Sequence, residues 1–302
     1  MIYDIIIIGA GTAGLTASIY ARRAGKNVLV IESETFGGQI VYSPCIENYP
    51  GFSSISGNAF ADALQSQAEA LGAEMDLSAV TGIGRRDDGS FLVRTEYGNR
   101  EARSVIIATG AAHKKLGVDR EDELAGSGVS YCALCDGAFY KGRDVAVVGG
   151  GDTACQEAVF LAGICRKVYV IHRRNEFRAE RNNVEKLSAF SNIELCLDSR
   201  VETLLGDGEL TGVTVVDVNS GSRRSIDLSG LFVAVGQAPA TAPFKGLVET
   251  DAGGYIIADE STRTSVPGLF AAGDVRTKSV RQLATAAGDG AVAATMAVRF
   301  LG

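Results

Sequence analysis

Residues 4–14 read Asp4-Ile-Ile-Ile-Ile-Gly9-Ala-Gly11-Thr-Ala-Gly14, and residues 145–154 read Val145-Ala-Val-Val-Gly149-Gly-Gly151-Asp-Thr-Ala154. Each is an apolar run that ends in glycines, the pattern of a buried parallel strand delivering the chain into a tight turn. A helix is predicted from Thr12 to the C-cap type of position at Gly25, and a second strand over 27–31. Strand, glycine turn, helix and strand make a Rossmann-like βαβ unit. The first glycine makes the turn, the second lets backbone approach a pyrophosphate, and the third allows close helix–strand packing. Gly9, Gly11 and Gly14 match Gly149, Gly151 and Ala154 at a constant offset of 140 positions, with Asp152 and Thr153 opening the second helix. Glu32 and His172, ending the next strands, keep the same offset. The chain therefore holds two nucleotide-binding units of equal spacing.

The units differ where a nucleotide ribose would lie. Glu32 stands 18 residues beyond Gly14, placed to accept hydroxyls of an unphosphorylated adenosine ribose, as in FAD or NAD. Its counterpart is His172-Arg173-Arg174, with Arg178 and Arg181 following. Guanidinium groups pair with a 2′-phosphate that a carboxylate would repel, so the second unit suits NADP. A solvated basic face is the plainer alternative for these arginines.

Outward from these units, residues 33–56 read mostly as loop and 57–72 as a helix with Phe60, Leu64, Ala68 and Leu71 on one face. Strands are predicted near 73–77, 80–86, 90–95 and 104–108, the last ending at Thr109-Gly110. After the second unit, strands are expected over 167–171, 212–218 and 231–235. Gly273-Asp274 ends an apolar stretch, and a helix is predicted over about 282–300. Asp274 at that strand end can hold sugar-alcohol hydroxyls or cap a helix. Arg281-Gln282-Leu283 opens a helix whose positive end suits a reduced flavin.

Glycine is over-represented, at 37 of 302 residues, against a usual ~7%. The glycines cluster within apolar segments, as expected of backbone brought close to ligands. A net charge of −7 gives no field to attract nucleic acid or an anionic membrane. No apolar run approaches the ~20 residues of a membrane span. The start Met1-Ile2-Tyr3-Asp4 lacks a basic region, which speaks against a signal peptide. Six cysteines are too sparse for a secreted disulfide scaffold, and a cytoplasmic setting is expected.

Cys132-Ala133-Leu134-Cys135-Asp136 precedes the second unit. Two thiols so spaced can close a disulfide, contribute half of a zinc site, or be structural. Zinc wants about four ligands and no second such pair exists, so no metal is expected. Asp136 is placed to exchange a proton with a thiol, or to cap a turn. Cys45, Cys155, Cys165 and Cys196 read as core residues, although Cys155, in the first turn of a helix, sits where a thiol pKa can fall. His113 reads as a linker residue.

These segments jointly resemble the low-molecular-weight, bacterial-type thioredoxin reductases. The resemblance is carried by Gly9-Ala-Gly-Thr-Ala-Gly14, Gly37-Gly38-Gln39, Asn48-Tyr-Pro-Gly51, Ala108-Thr-Gly-Ala111 and Cys132-Ala-Leu-Cys-Asp-Gly137. It continues through Gly149-Gly-Gly-Asp-Thr-Ala154, His172-Arg-Arg174, Phe177-Arg178, Ala271-Ala-Gly-Asp-Val275 and Arg281-Gln282, in order along nearly the whole chain.

The resemblance implies an α/β fold of the class II pyridine nucleotide-disulfide oxidoreductase type. A discontinuous FAD domain (1–112 and 246–302) would hold an inserted NADPH domain (113–245), with crossings near 113–117 and 241–246. It implies that Gly38, Gln39, Asn48, Thr109, Gly110, Gly273, Asp274, Arg281, Gln282 and Leu283 join Gly9, Gly11, Gly14 and Glu32 around FAD. Electrons would pass from NADPH through FAD to Cys135, with Asp136 as acid, while Cys132 attacks the disulfide of thioredoxin or a thioredoxin-like protein. A homodimer is implied, and the two crossings would act as hinges that let dithiol and nicotinamide take turns at the flavin. Thr12, Leu134 and Ala240 depart from the commonest residues of the family. Three other activities share these features: a same-core reductase serving a peroxiredoxin or glutaredoxin-like partner, a ferredoxin-fed relative, and a non-enzymatic flavin redox sensor.

Overall fold

The computed structural model describes residues 2–43 and 45–302. Met1 of the start read above and Pro44 of the 33–56 loop lie outside the described residues. The chain divides into two units, Met1–Ala112 with Ala238–Gly302, and His113–Gln237.

The first unit opens with β1 (Ile2–Ile8), α1 (Thr12–Arg23) and β2 (Val28–Glu32). It continues through α2 (Gly57–Ala70), β3 (Glu74–Leu77), β4 (Val80–Arg85), β5 (Phe91–Thr95) and β6 (Gly98–Ile107). The chain leaves through β7 (Ala111–His113). The second unit holds β8 (Val129–Ser130), α3 (Ala133–Asp136), β9 (Asp144–Val148), α4 (Asp152–Ala162), β10 (Lys167–Ile171), α5 (Arg181–Leu187) and β11 (Ile193–Cys196). Then come β12 (Ser199–Leu205), β13 (Gly212–Asp217), β14 (Arg223–Asp227) and β15 (Gly230–Val233). The chain returns through β16 (Gln237–Pro239), and β17 (Leu269–Ala271) and α6 (Leu283–Leu301) complete the first unit.

In the first unit the strand order is β3-β2-β1-β6-β5-β4, with β17 also on β6. The all-isoleucine end of β1 is buried on both faces because the sheet is covered on both sides. Ile5 and Ile7 join the core cluster that includes α1 and α6 residues, whereas Ile6 and Ile8 join Phe91, Phe244 and Ile256 in the other. That split is the two-residue period of a strand. Between α1 and α6 the contact is close because the facing residues are small. A Cβ on Gly290 would run into the Ala13 carbonyl.

β6 begins six residues before the strand start predicted from its apolar half. Its polar half, from Gly98, pairs antiparallel with β5, while Val105–Ile107 pair parallel with β17. Residues 238–245, placed with the inserted domain from sequence, pack with the first unit instead. The physical reason is Phe244, which is 1% exposed within the Ile83, Phe91 and Ile256 core.

The second unit carries a parallel sheet, β11-β10-β9-β15-β8, and an antiparallel sheet, β12-β13-β14. Alternation repeats in β9: Val145 and Val147 face α4, and Ala146 and Val148 enter the cluster shared with the antiparallel sheet. No helix of the described residues is long and apolar enough to cross a membrane.

Candidate functional site

The strand ends of the first unit carry the first glycine turn. Gly9 adopts φ 102°, a left-handed conformation that favours glycine. A Cβ on Gly14 would overlap the Gly9 carbonyl, so the third glycine is required by packing inside α1. Gly11 forms the N-cap of α1 in extended conformation, leaving the helix start bare of side chains. At the end of β2, Glu32 Oε2 accepts from the Ala10 N–H at 2.8 Å. Its Oε1 accepts from the Ser33 and Glu34 N–H groups. Backbone thus holds this carboxylate beside the turn.

Other predicted residues of this unit are tied together by side chains. Gln39, in the 3₁₀ turn that starts at Gly38, donates to the Ala111 carbonyl at 2.6 Å. Asn48 Nδ2 donates to Gln282 Oε1 at 3.2 Å, which joins the 33–56 loop to the α6 N-terminus. Gln282 itself is the N-cap of α6 in a reciprocal capping box with Thr285, and Leu283 is the first helical residue. Thr109 donates to the Ala240 carbonyl, and the Ala240 N–H donates to the carbonyl of Gly110. Both observations place Ala240, a departure from the family pattern, against the predicted Thr109-Gly110 pair.

Asp274 does not cap a helix. Its Oδ1 is buried with no hydrogen-bond partner, and burial pushes the carboxyl above its ordinary range, with Lys278 and Arg281 opposing the rise. Arg281 Nε is likewise buried without a partner, while its guanidinium lies 4.2 Å above the Tyr255 ring. Buried polar atoms of this kind are costly unless a ligand meets them. A hydroxylated, partly anionic ligand would supply what these atoms lack.

Asp289 had no signal in the sequence beyond being an acid inside an apolar helix. It accepts from the Gly273 N–H, from Arg276 in a fork and from Lys278 at 3.0 Å. Burial alone would raise this carboxyl, but the Arg276 and Lys278 hydrogen bonds outweigh it and hold it below its ordinary range. The cluster fixes the Gly273-Asp274 turn. Asp289→Ala leaves the nearly buried Arg276 without an acid partner and Lys278 with only Asp274 at 4.0 Å, and is expected to cost about 3–5 kcal/mol, read as a lower Tm. The contribution is present at neutral pH and is lost as the pH falls through the depressed folded-state pKa.

In the second unit, Cys132 and Cys135 are joined in a disulfide. Cys132 is the N-cap of α3, and the Cys135 and Asp136 N–H groups donate to its carbonyl. Leu134, between the cysteines, is 58% exposed. Asp136 accepts a 2.6 Å hydrogen bond from the Ser130 hydroxyl. The Ser130 oxygen in turn accepts from the Cys132 N–H at 3.1 Å. Burial raises the Asp136 carboxyl and the Ser130 hydrogen bond opposes it. Ser130 was missed from sequence, since a serine two positions before a cysteine carries no pattern of its own. Among the described residues no group of three or more His, Cys, Asp or Glu side chains is arranged to hold a metal.

The second glycine turn precedes α4, whose N-cap is Gly151. Ala154 fits where a third glycine stands in the first unit, its methyl packed against Gly149. Thr153, in the first turn of α4, is exposed. Asp152 accepts from the Glu180 N–H and from Asn183 Nδ2, both at 2.8 Å, and so pins the 172–180 loop. The Arg178 N–H donates to the Gly150 carbonyl at 2.7 Å. Arg173, Arg174 and Arg178 are exposed, and none has an ion-pair partner among the described residues. His172 behaves differently. Its ring is buried beneath Gly150, stacks on Phe177 at 5.4 Å and keeps Nε2 3.1 Å from the Glu176 carbonyl. Burial lowers its pKa, aided by the neighbouring arginines.

Of the remaining predicted features, Cys155 is fully buried. Burial pushes its thiol up to about 11, with the Asp152 charge adding to the rise, so the helix start does not activate it. Cys165 and Cys196 are buried as well, while Cys45 is half-buried. His113 stacks on Tyr131 at 5.5 Å.

Comparison with known proteins finds relatives along nearly the whole chain. The family described as pyridine nucleotide-disulphide oxidoreductase matches residues 3–291. A thioredoxin reductase of Listeria monocytogenes is 45% identical, over 99% of this chain and 94% of the relative. One of Treponema pallidum is 43% identical, over 99% and 97%. The crystal structure of thioredoxin reductase from Streptococcus pyogenes superposes with a TM-score of 0.95 at 41% identity, covering 99% of this chain and 98% of that one.

Proposed function

Because the chain belongs to the pyridine nucleotide-disulphide oxidoreductases, and among them to the thioredoxin reductases, we propose that it uses NADPH and FAD to reduce thioredoxin through Cys132 and Cys135. The observation that carries this reading is the Cys132–Cys135 disulfide with Asp136 beside it, in a chain that repeats the nucleotide turn with opposite charge at the ribose position.

FAD, when bound, would supply the two-electron chemistry that links a nicotinamide hydride to the disulfide. Gly9, Gly11 and Gly14 would leave room for its pyrophosphate at the α1 N-terminus. Glu32 would hold the adenosine ribose, and Asp274 and Arg281 would meet the ligand with their unpartnered atoms. Gly38, Gln39, Asn48, Thr109, Gly110, Gly273, Gln282 and Leu283 complete that surround. For NADPH, the α4 N-terminus at Gly149, Gly151, Thr153 and Ala154 would take the phosphates, with Asp152 holding the 172–180 loop beside it. Arg173, Arg174 and Arg178 would pair with the 2′-phosphate, and His172 would support the turn from below.

At the redox pair, Asp136 holds a proton for the thiol that leaves when the disulfide opens. Cys132, the N-cap residue of α3, attacks the thioredoxin disulfide, and Cys135 resolves the mixed disulfide. A homodimer and a cytoplasmic setting belong to the same proposal, as does rotation at the two chain crossings. Ser130→Ala removes the hydrogen bond that aims Asp136 and opposes its rise. Thioredoxin turnover is expected to fall about tenfold, and the alkaline limb of its pH profile, where Asp136 loses its proton, to move to higher pH; Ser130→Thr should restore both. An NADPH-dependent thioredoxin assay tests the proposal as a whole, and absence of turnover with flavin loaded contradicts it.

A further inference from the structure

Beneath the turn that carries the two cysteines lies a second carboxylic acid. Glu157, in α4, turns Oε1 toward the Ala133 N–H at a long 3.4 Å. Its Oε2 is buried with no partner, and Ala133 is fully buried. Burial pushes this carboxyl up to about 7, with the Ala133 N–H pulling the other way. Around α4, the packed elements carry Cys135 and Asp136 (α3), Asp144 (β9), Lys167 and Tyr169 (β10), and Arg181, Glu185 and Lys186 (α5). None of these contributes a charge interaction to the Glu157 shift. Covalent geometry keeps the Cys132 sulfur within about 8 Å of the carboxyl, since one peptide link and one short side chain separate it from the Ala133 nitrogen.

We propose that Glu157 is a positioning residue that sets the thiolate content of Cys132, and through it the reducing strength of the Cys132–Cys135 pair. The inference rests on the reading of that pair as the redox centre. Ionised Glu157 places a second negative charge behind a Cys132 thiolate, which raises the thiol pKa and favours the disulfide. Protonated Glu157 relieves that opposition, so the two groups titrate as a coupled pair.

The exchange itself balances without Glu157. The Cys132 thiolate attacks one sulfur of the partner disulfide, that bond breaks, and the released partner thiolate takes up the proton that Cys132 gave up. Cys135 then attacks the Cys132 sulfur and the second partner thiol leaves with the Cys135 proton. Two electrons and two protons have moved to the partner. Glu157 governs where the Cys132 proton sits before the first attack.

The test uses the flavin-loaded full chain, reduced with dithiothreitol, with iodoacetamide alkylation of Cys132 followed by peptide mass spectrometry across pH 5–10. Glu157→Gln keeps an acceptor for the Ala133 N–H and removes the charge; Glu157→Leu removes both. In Glu157→Gln, Cys132 is expected to alkylate about twofold faster at pH 7, where Glu157 is only half ionised, and several-fold faster near pH 8, with its profile moved to lower pH. Its equilibrium with dithiothreitol should move toward the dithiol above about pH 8, where the thiolate is populated, and little at lower pH. A Glu157→Gln profile superimposed on the wild type, with only Glu157→Leu altered, would assign the side chain to capping alone and overturn the proposal. Neither measurement uses NADPH or thioredoxin. Failure here is therefore distinct from failure of the reductase reading, which turnover reports.

Discussion

Cys135→Ser is expected to abolish thioredoxin reduction, by at least about 10³-fold, while the protein keeps its flavin and NADPH still bleaches it. The disulfide needs both sulfurs, and a lone Cys132 has no partner to resolve a mixed disulfide. The residues assigned to FAD all lie in the first unit, whereas the replaced sulfur lies in the second. The flavin spectrum of the variant should therefore match the wild type. Unchanged thioredoxin turnover in this variant would sink the mechanism.

Replacing Arg173 and Arg174 together with alanine is expected to raise the KM for NADPH by about 100-fold and that for NADH by little. Both guanidinium groups stand exposed without an acid partner, so their removal leaves no buried charge behind and should not move the Tm. Paired steady-state measurements with the two nucleotides read the difference. Equal losses for NADPH and NADH contradict the 2′-phosphate assignment.

Much of the fold was legible because its signals are local. The isoleucine run of β1 and the valines of β9 announce strands covered on both faces, and the glycines at their ends announce the turns. Where sequence reading fell short, a distant contact decided. The polar half of β6 is a strand because β5 and, from Glu101, β1 pair with it. Residues 238–245 belong with the first unit because Phe244 finds its core there. At the candidate site the chemistry-bearing residues stood out by type and spacing, but their supports did not. Ser130, Glu157 and Asp289 matter through partners 6, 24 and 11–16 positions away along the chain. Asp152 and His172 were read as ligand contacts. The structure occupies the first with the 180–183 backbone and side chain and buries the second under Gly150.

The central claim is that electrons enter from NADPH and leave through Cys132 and Cys135 to thioredoxin. Anaerobic stopped-flow on the flavin-loaded protein tests it, mixing with NADPH, NADH or reduced ferredoxin and then with oxidised thioredoxin. The account predicts rapid flavin bleaching by NADPH, much slower bleaching by NADH, and return of flavin colour with one thioredoxin dithiol formed per electron pair. Bleaching by ferredoxin but not by NADPH, or bleached flavin that thioredoxin fails to reoxidise, would contradict it.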